Sequence, residues 1–265
     1  MKIFRFCYNP QELLPYIDWG YFYHAWGIKP SMWQSDEALS LRVEALALLS
    51  ADTSTRVFSL FRLCDASSCG DNILLDGECL PLLRQQHDSA EVPNLCLSDY
   101  VSPHGDKVGL FATSVSAAFD DEDPYRKMLF QTLADRLAEA AASLLHASVR
   151  TKKELWGYSP DENFTPQELN GEPFVGIRPA VGYPSLPDQS VIFVIDKLLS
   201  IEKIGITLTA NGAMHPHASV CGLMFAHPAA KYFSVGKIDE EQLRDYALRR
   251  GSSVEVMRKY LAANL

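Results

Sequence analysis

Apolar residues recur at helical spacing most clearly between about Asp123 and Glu154. Leu129, Leu133, Leu137, Ala140, Ala141, Leu144 and Leu145 keep one face for several turns. Pro124 suits the first turn, where a missing N–H costs nothing, so the pattern predicts one long helix over about 123–154. Ser35 precedes Asp36 and Glu37 as an N-cap, and Leu39, Val43, Leu46, Ala47 and Leu49 read as the apolar stripe of another helix. Residues 11–18 read as a short helix leading into the aromatic run Trp19, Tyr21, Phe22, Tyr23 and Trp26. A further helix is predicted over 187–200. Two short ones close the chain: 239–250, with Asp239 as N-cap, arginines in its last turn and Gly251 beyond it, and a last one capped by Ser252 or Ser253. Strand-like runs fall at 56–63, 72–75, Val108–Thr113, 205–210, 218–226 and 231–238, with 64–71 reading as the turn between the first two. Helices and strands mix without a regular βαβ alternation. The prediction is an α+β fold, a single domain over 1–265 with a mainly antiparallel twisted sheet and flanking helices.

Hydrophobic residues make up 47% of the 265, enough for a real core and too many for disorder. The net charge of −9 argues against nucleic acid or an anionic membrane as partner. No stretch approaches 18 apolar residues, and Met1 to Tyr8 holds no signal-peptide core, so a cytoplasmic protein is expected. Cysteines stand at 7, 64, 69, 79, 96 and 221 without a C-x-x-C pair; they read as buried thiols, and the spacing of Cys64, Cys69 and Cys79 supports no metal site.

Candidate chemistry is concentrated in one stretch. Trp156-Gly157-Tyr158 precedes Gly176-Ile177-Arg178-Pro179-Ala180-Val181-Gly182-Tyr183-Pro184, a stiff loop that offers backbone groups and the planar fork of Arg178 to an anionic end of a small molecule. A structural turn whose arginine caps a helix or pairs with a core carboxylate is the plainer alternative. On the long helix, Asp135 and Glu139 share a face that His146 extends; like charges at that spacing either meet a cation or form a solvated face. Asp18, between Ile17 and Trp19, is an N-cap or a ligand contact. Lys231-Tyr232-Phe233 opens a predicted strand. His215-Pro216-His217 reads as a structural loop rather than a metal chelate. P-loop, dinucleotide, nucleophile-elbow and H-E-x-x-H motifs are absent.

Taken in order, Tyr16-Ile17-Asp18-Trp19, Leu83-Arg84-Gln85-Gln86, Leu97 to Pro103, Ala134-Asp135-Arg136-Leu137-Ala138-Glu139-Ala140, Trp156-Gly157-Tyr158, the Arg178 loop and His227-Pro228 ahead of Lys231-Tyr232 resemble the activation domain of cobalamin-dependent methionine synthase. The resemblance runs from about residue 11 to Leu265 and is densest from 83 to 262. It implies S-adenosylmethionine as the ligand, bound by Arg178, by the loop around Ala180, Gly182 and Tyr183, and by Asp18, Glu139 and Tyr232, with Phe233 where a second tyrosine is common. Arg178 suits the carboxylate, the acids suit the ammonium, ribose or sulfonium, and aromatic faces favour the cation. No catalytic residue and no metal site of its own are implied. Leu186 and Gln189 stand where the family often has Cys and His, and 28–80 matches poorly. The expectation is a stand-alone reactivation subunit acting in trans on a cobalamin-bearing methionine synthase chain, with a flavodoxin-type electron donor. The alternatives are an S-adenosylmethionine-binding module for another corrinoid protein and a ligand-free interaction protein that retains the fold.

Overall fold

A computed structural model describes residues 2–87, 93–119 and 121–265. In chain order the elements are β1 (Phe4–Tyr8), α1 (Pro10–Leu13), α2 (Trp19–Ala25), α3 (Asp36–Ala51), β2 (Arg56–Cys69), β3 (Asn72–Leu75), β4 (Glu78–Pro81), β5 (Asp106–Ser116), α4 (Pro124–Thr151), α5 (Val191–Leu199), β6 (Thr207–Leu208), β7 (Met214–His215), β8 (Ser219–Met224), α6 (Glu240–Arg249) and α7 (Val254–Tyr260). The main sheet runs β4-β3-β2-β5-β8, with β1 also paired to β2, and every pairing is antiparallel. β5 pairs with residues 56–66 of β2, so β1 (against 57–61) and β3 (against 66–69) share the other edge of β2 end to end.

Alternation along the strands divides the core. Val57, Phe61, Phe111 and Val115 pack with Leu129, Leu133, Leu137 and Ala141 of α4, whereas Leu60, Cys64, Leu110 and Ala112 pack with Val191, Ile192 and Ile195 of α5 on the opposite face. A central sheet buried on both faces leaves its exposed chemistry to its edges and connecting loops. Buried Thr113 sits in the first layer and donates to the carbonyl of Ala138 at 2.9 Å, which fixes α4 against β5.

The long helix starts where expected, with Asp123 accepting from the N–H of Tyr125. It ends at Thr151 rather than 154, where Gly157 at φ 67° turns its N–H back to the carbonyl of Val149. Other boundaries differ for local reasons. The expected 11–18 helix is α1 followed by a 3-10 turn over Leu14–Tyr16, and Asp18 caps α2 instead. α3 forms behind Ser35, but the expected stripe holds only in part: Leu49 is buried, Leu39 and Val43 are 41% and 67% exposed, and Ala38, Ala45 and Leu48 are the other buried positions. Apolar residues lie on several sides of this helix, and Ala38, Ala45, Leu48 and Leu49 join the same core cluster as the leucines of α4. Residues 64–69 continue β2, because the Ser- and Asp-rich run alternates with buried Cys64 and Ala66; the turn is only Gly70-Asp71. β1, β4 and β7 escaped the pattern reading, 205–210 shrinks to β6, and 231–238 forms no regular strand. Among the described residues no helix is long and apolar enough to cross a membrane.

Candidate functional site

The Arg178 loop is strapped to the free edge of β8. Ile177 and Phe225 exchange both backbone bonds at 3.0 and 2.9 Å, Leu223 donates to the carbonyl of Pro179 at 3.0 Å, and Val181 donates to that of Cys221 at 2.9 Å. Pro179 has no N–H to offer, and an edge is where that is tolerated. Two glycines make the approach possible. A Cβ on Gly222 would stand 2.2 Å from the carbonyl oxygen of Pro179, and one on Gly176 (φ 85°) would stand 2.3 Å from that of Phe225. The loop then closes in a tight turn in which Leu186 donates to Tyr183 and Gly182 to Leu186, each at 2.9 Å.

Opposite this loop lies a polar stripe of α4: Glu139, Ser143, His146 and Arg150, at spacings of four, three and four. Between them opens a cavity of about 710 Å³, whose walls include Asp18, Glu139, Arg178, Ala180, Tyr183 and Tyr232, with Phe233 beside them. Seven of the eight residues singled out in the sequence are thus brought together. Gly182 does not line the cavity; its φ of 84° serves the turn.

Within the cavity, Arg178 reaches Glu139 at 3.4 Å, donates to the Ser143 hydroxyl at 3.0 Å, and gives its backbone N–H to the Tyr232 hydroxyl at 3.0 Å. Tyr183 donates to the other oxygen of Glu139 at 2.6 Å. Burial, and then the neighbouring Glu139, push the Tyr183 hydroxyl well above its ordinary value, so it stays a donor. Asp18 caps α2 through the N–H of Gly20 at 2.8 Å while bordering the cavity, so both sequence alternatives for it describe the same carboxylate.

The comparisons with known proteins bear on this geometry. Residues 10–251 match the family model described as "Vitamin B12 dependent methionine synthase, activation domain". The chain belongs to that family. A solved structure described as "Crystal Structure of the MetH Reactivation Domain bound to AdoHcy" is similar over 100% of this chain and 90% of that one, with 34% identity and a TM-score of 0.92. The α+β expectation therefore holds both in the architecture and in the family to which the chain belongs.

In this activation domain the cavity floor is a second, tighter set of contacts. Arg150 makes three bonds to Glu162 at 2.5 to 2.9 Å and stacks over the Phe174 ring at 3.9 Å. His146 is buried, bonds Tyr158 through Nε2 at 3.1 Å, and has no partner for Nδ1 among the described residues. Burial above all, with Arg150 and Arg178 adding to it, holds its pKa well below 6.5, so the ring is neutral.

Other candidates stay apart. Asp135 does not join Glu139 at Arg178; it faces His217 at 3.5 Å, and burial raises its carboxyl. No group of metal-binding side chains occurs among the described residues. Leu186 is buried, and Gln189 donates to the carbonyl of Gly212 at 2.9 Å. Sequence reasoning missed Glu172, which lines the cavity in a left-handed conformation (φ 51°, ψ 47°) unusual for a residue with a side chain. Its carboxyl is raised by burial and partly relieved by the charge of Arg178. A non-glycine residue at positive φ leaves no periodic trace in the sequence.

Proposed function

We propose that this activation domain binds S-adenosylmethionine in the cavity and presents its methyl group to a cobalamin-bearing methionine synthase partner, acting in trans. The observation that carries the reading is the long, partly solvated contact between Arg178 and Glu139 at the wall of an open cavity. It gains support from the similarity of the fold to a reactivation domain bound to AdoHcy. Arg178 takes the carboxylate of the ligand as a two-pronged, charge-assisted contact. Glu139, oriented by Tyr183, takes the ammonium.

Charge accounting fits the methyl donor. The ligand carries one carboxylate, one ammonium and one sulfonium, a net single positive charge. The cavity offers Asp18, Glu139 and Glu172 against Arg136 and Arg178, since Arg150 is neutralised by Glu162. The surplus is one negative charge, and Glu172 supplies it without a hydrogen-bonded partner among the described residues. Tyr183 and Tyr232, 50% and 39% exposed, offer ring faces to the sulfonium at the mouth.

A cobalamin carried by the partner chain would supply the acceptor for the methyl group, with a flavodoxin-type donor supplying the reducing electron. This chain's own residues need only bind, orient and expose the methyl group. The test is methyl transfer in a mixture of this protein, methyl-labelled S-adenosylmethionine, a chemical reductant and a cobalamin-bearing synthase chain lacking its own activation domain. Label is expected on the cobalamin only when this protein is present. Equal labelling without it would contradict the proposal.

A further inference from the structure

Residues 231–238 have the composition of a strand, but among the described residues no strand pairs with them. Their backbone is satisfied by side chains instead. The Tyr100 hydroxyl donates to the carbonyl of Lys231 at 3.3 Å and accepts from its N–H at 3.4 Å. Two residues on, the Ser185 hydroxyl donates to the carbonyl of Phe233 and accepts from its N–H at 3.1 Å. Two further on, Val235 donates to the carbonyl of Pro184 at 2.9 Å. Positions 231, 233 and 235 present their backbone to one side of an extended chain, as alternate residues do in an antiparallel ladder. At two of the three, a single hydroxyl oxygen does the work of a neighbouring residue's N–H and C=O.

We infer that Tyr100 and Ser185 are positioning residues of the ligand site: their hydroxyls replace a missing strand along 231–233 and hold the Tyr232–Phe233 wall against the Arg178 loop. Both hydroxyls are placed for this. Tyr100 and Ser185 are buried, and Ser185 itself follows the Gly182-Tyr183-Pro184 turn, so one side chain ties the two loops of the cavity together. The Tyr232 hydroxyl, which receives the N–H of Arg178, is carried on the segment so held. The inference rests on the proposed S-adenosylmethionine site for its functional meaning.

Ser185→Ala, Tyr100→Phe and the double variant test it by amide hydrogen exchange, calorimetric titration with S-adenosylmethionine, and thermal melting. Exchange is expected to speed up by about tenfold or more at Phe233 in the first and at Lys231 in the second. Ligand affinity should fall about three- to tenfold in each, with a larger loss in the double variant. Ser185→Thr, which keeps the hydroxyl, should restore both readings. Unchanged exchange and affinity in the double variant would overturn the inference, as would an affinity loss that Ser185→Thr shares. Exchange needs no ligand. A wild-type protein that binds no S-adenosylmethionine would therefore sink the functional reading while exchange still decides whether these hydroxyls hold the segment.

Discussion

Arg150 belongs to the polar stripe of α4 and Arg178 faces that stripe from the loop, and the two are held in opposite ways. Arg150 and its partner Glu162 are 1% and 6% exposed, joined by short bonds and covered by Phe174. Arg178 and Glu139 are 19% and 21% exposed and meet at only 3.4 Å, longer than a good charge-assisted bond. Breaking a locked pair leaves a buried charge, so it does not readily give up its partner for a ligand. A loose pair at a cavity wall opens at little cost and can exchange its partner for a zwitterion. The difference marks Arg150 as part of the scaffold and makes Arg178 the proposed recognition residue, although both are arginines within reach of a carboxylate.

The largest expected effect breaks the locked side. Arg150→Ala leaves Glu162 buried and unpaired, and denaturant unfolding should show a loss of about 3–5 kcal/mol. A loss below about 1 kcal/mol would erase the distinction between the pairs.

On the loose side, Glu172→Gln removes the surplus negative charge. Its affinity for S-adenosylmethionine should fall about five- to tenfold while that for the neutral thioether product changes less than about twofold, read by parallel titrations. Equal losses for both ligands would assign Glu172 a purely structural role.

His146 connects the two sides. Its folded-state pKa lies well below the unfolded value near 6.5, because burial and then the two arginines disfavour the charged ring. The unfolded chain therefore takes up a proton that the native state refuses. Its stability contribution is full above about pH 6.5 and is lost as the pH falls, at up to about 1.4 kcal/mol per pH unit. Melting curves between pH 7.5 and 5.5 should show this slope, flattened in His146→Gln; an unaltered slope in that variant would assign it to other groups. The smallest effect is on stability at Arg178. Arg178→Ala should cost less than about 1 kcal/mol of unfolding free energy, because its ion pair is long and partly solvated.

The two walls of the cavity were unequally legible. The α4 wall was legible in part: helical spacing put Glu139 and His146 on one face, while Ser143 and Arg150, which share that face, were not singled out. The loop wall is marked by its glycines and prolines, but where it sits depends on the edge of β8, which no local pattern reveals. Residues 231–238 misled because strand composition does not say whether a partner strand exists, and here Tyr100, Ser185, Gln85 and Asn264 supply the bonds. Glu172 stayed hidden because it caps a 3-10 turn in a left-handed conformation, which nothing in the pattern of residue types marks at a non-glycine position. The placement of Asp18, Glu139, Arg178, Tyr183 and Tyr232 around one cavity was anticipated through the family resemblance. The i,i+4 carboxylates alone suggested Asp135 as Glu139's companion, which the fold turns towards His217 instead.

The most direct measurement is a calorimetric titration of S-adenosylmethionine into the wild-type protein and into Arg178→Ala, with melting curves confirming that both are folded. Saturable binding to the wild type and a loss on the order of 10- to 100-fold in the variant are expected. Equal affinity in the two folded proteins would contradict it, placing the anchor for the carboxylate elsewhere.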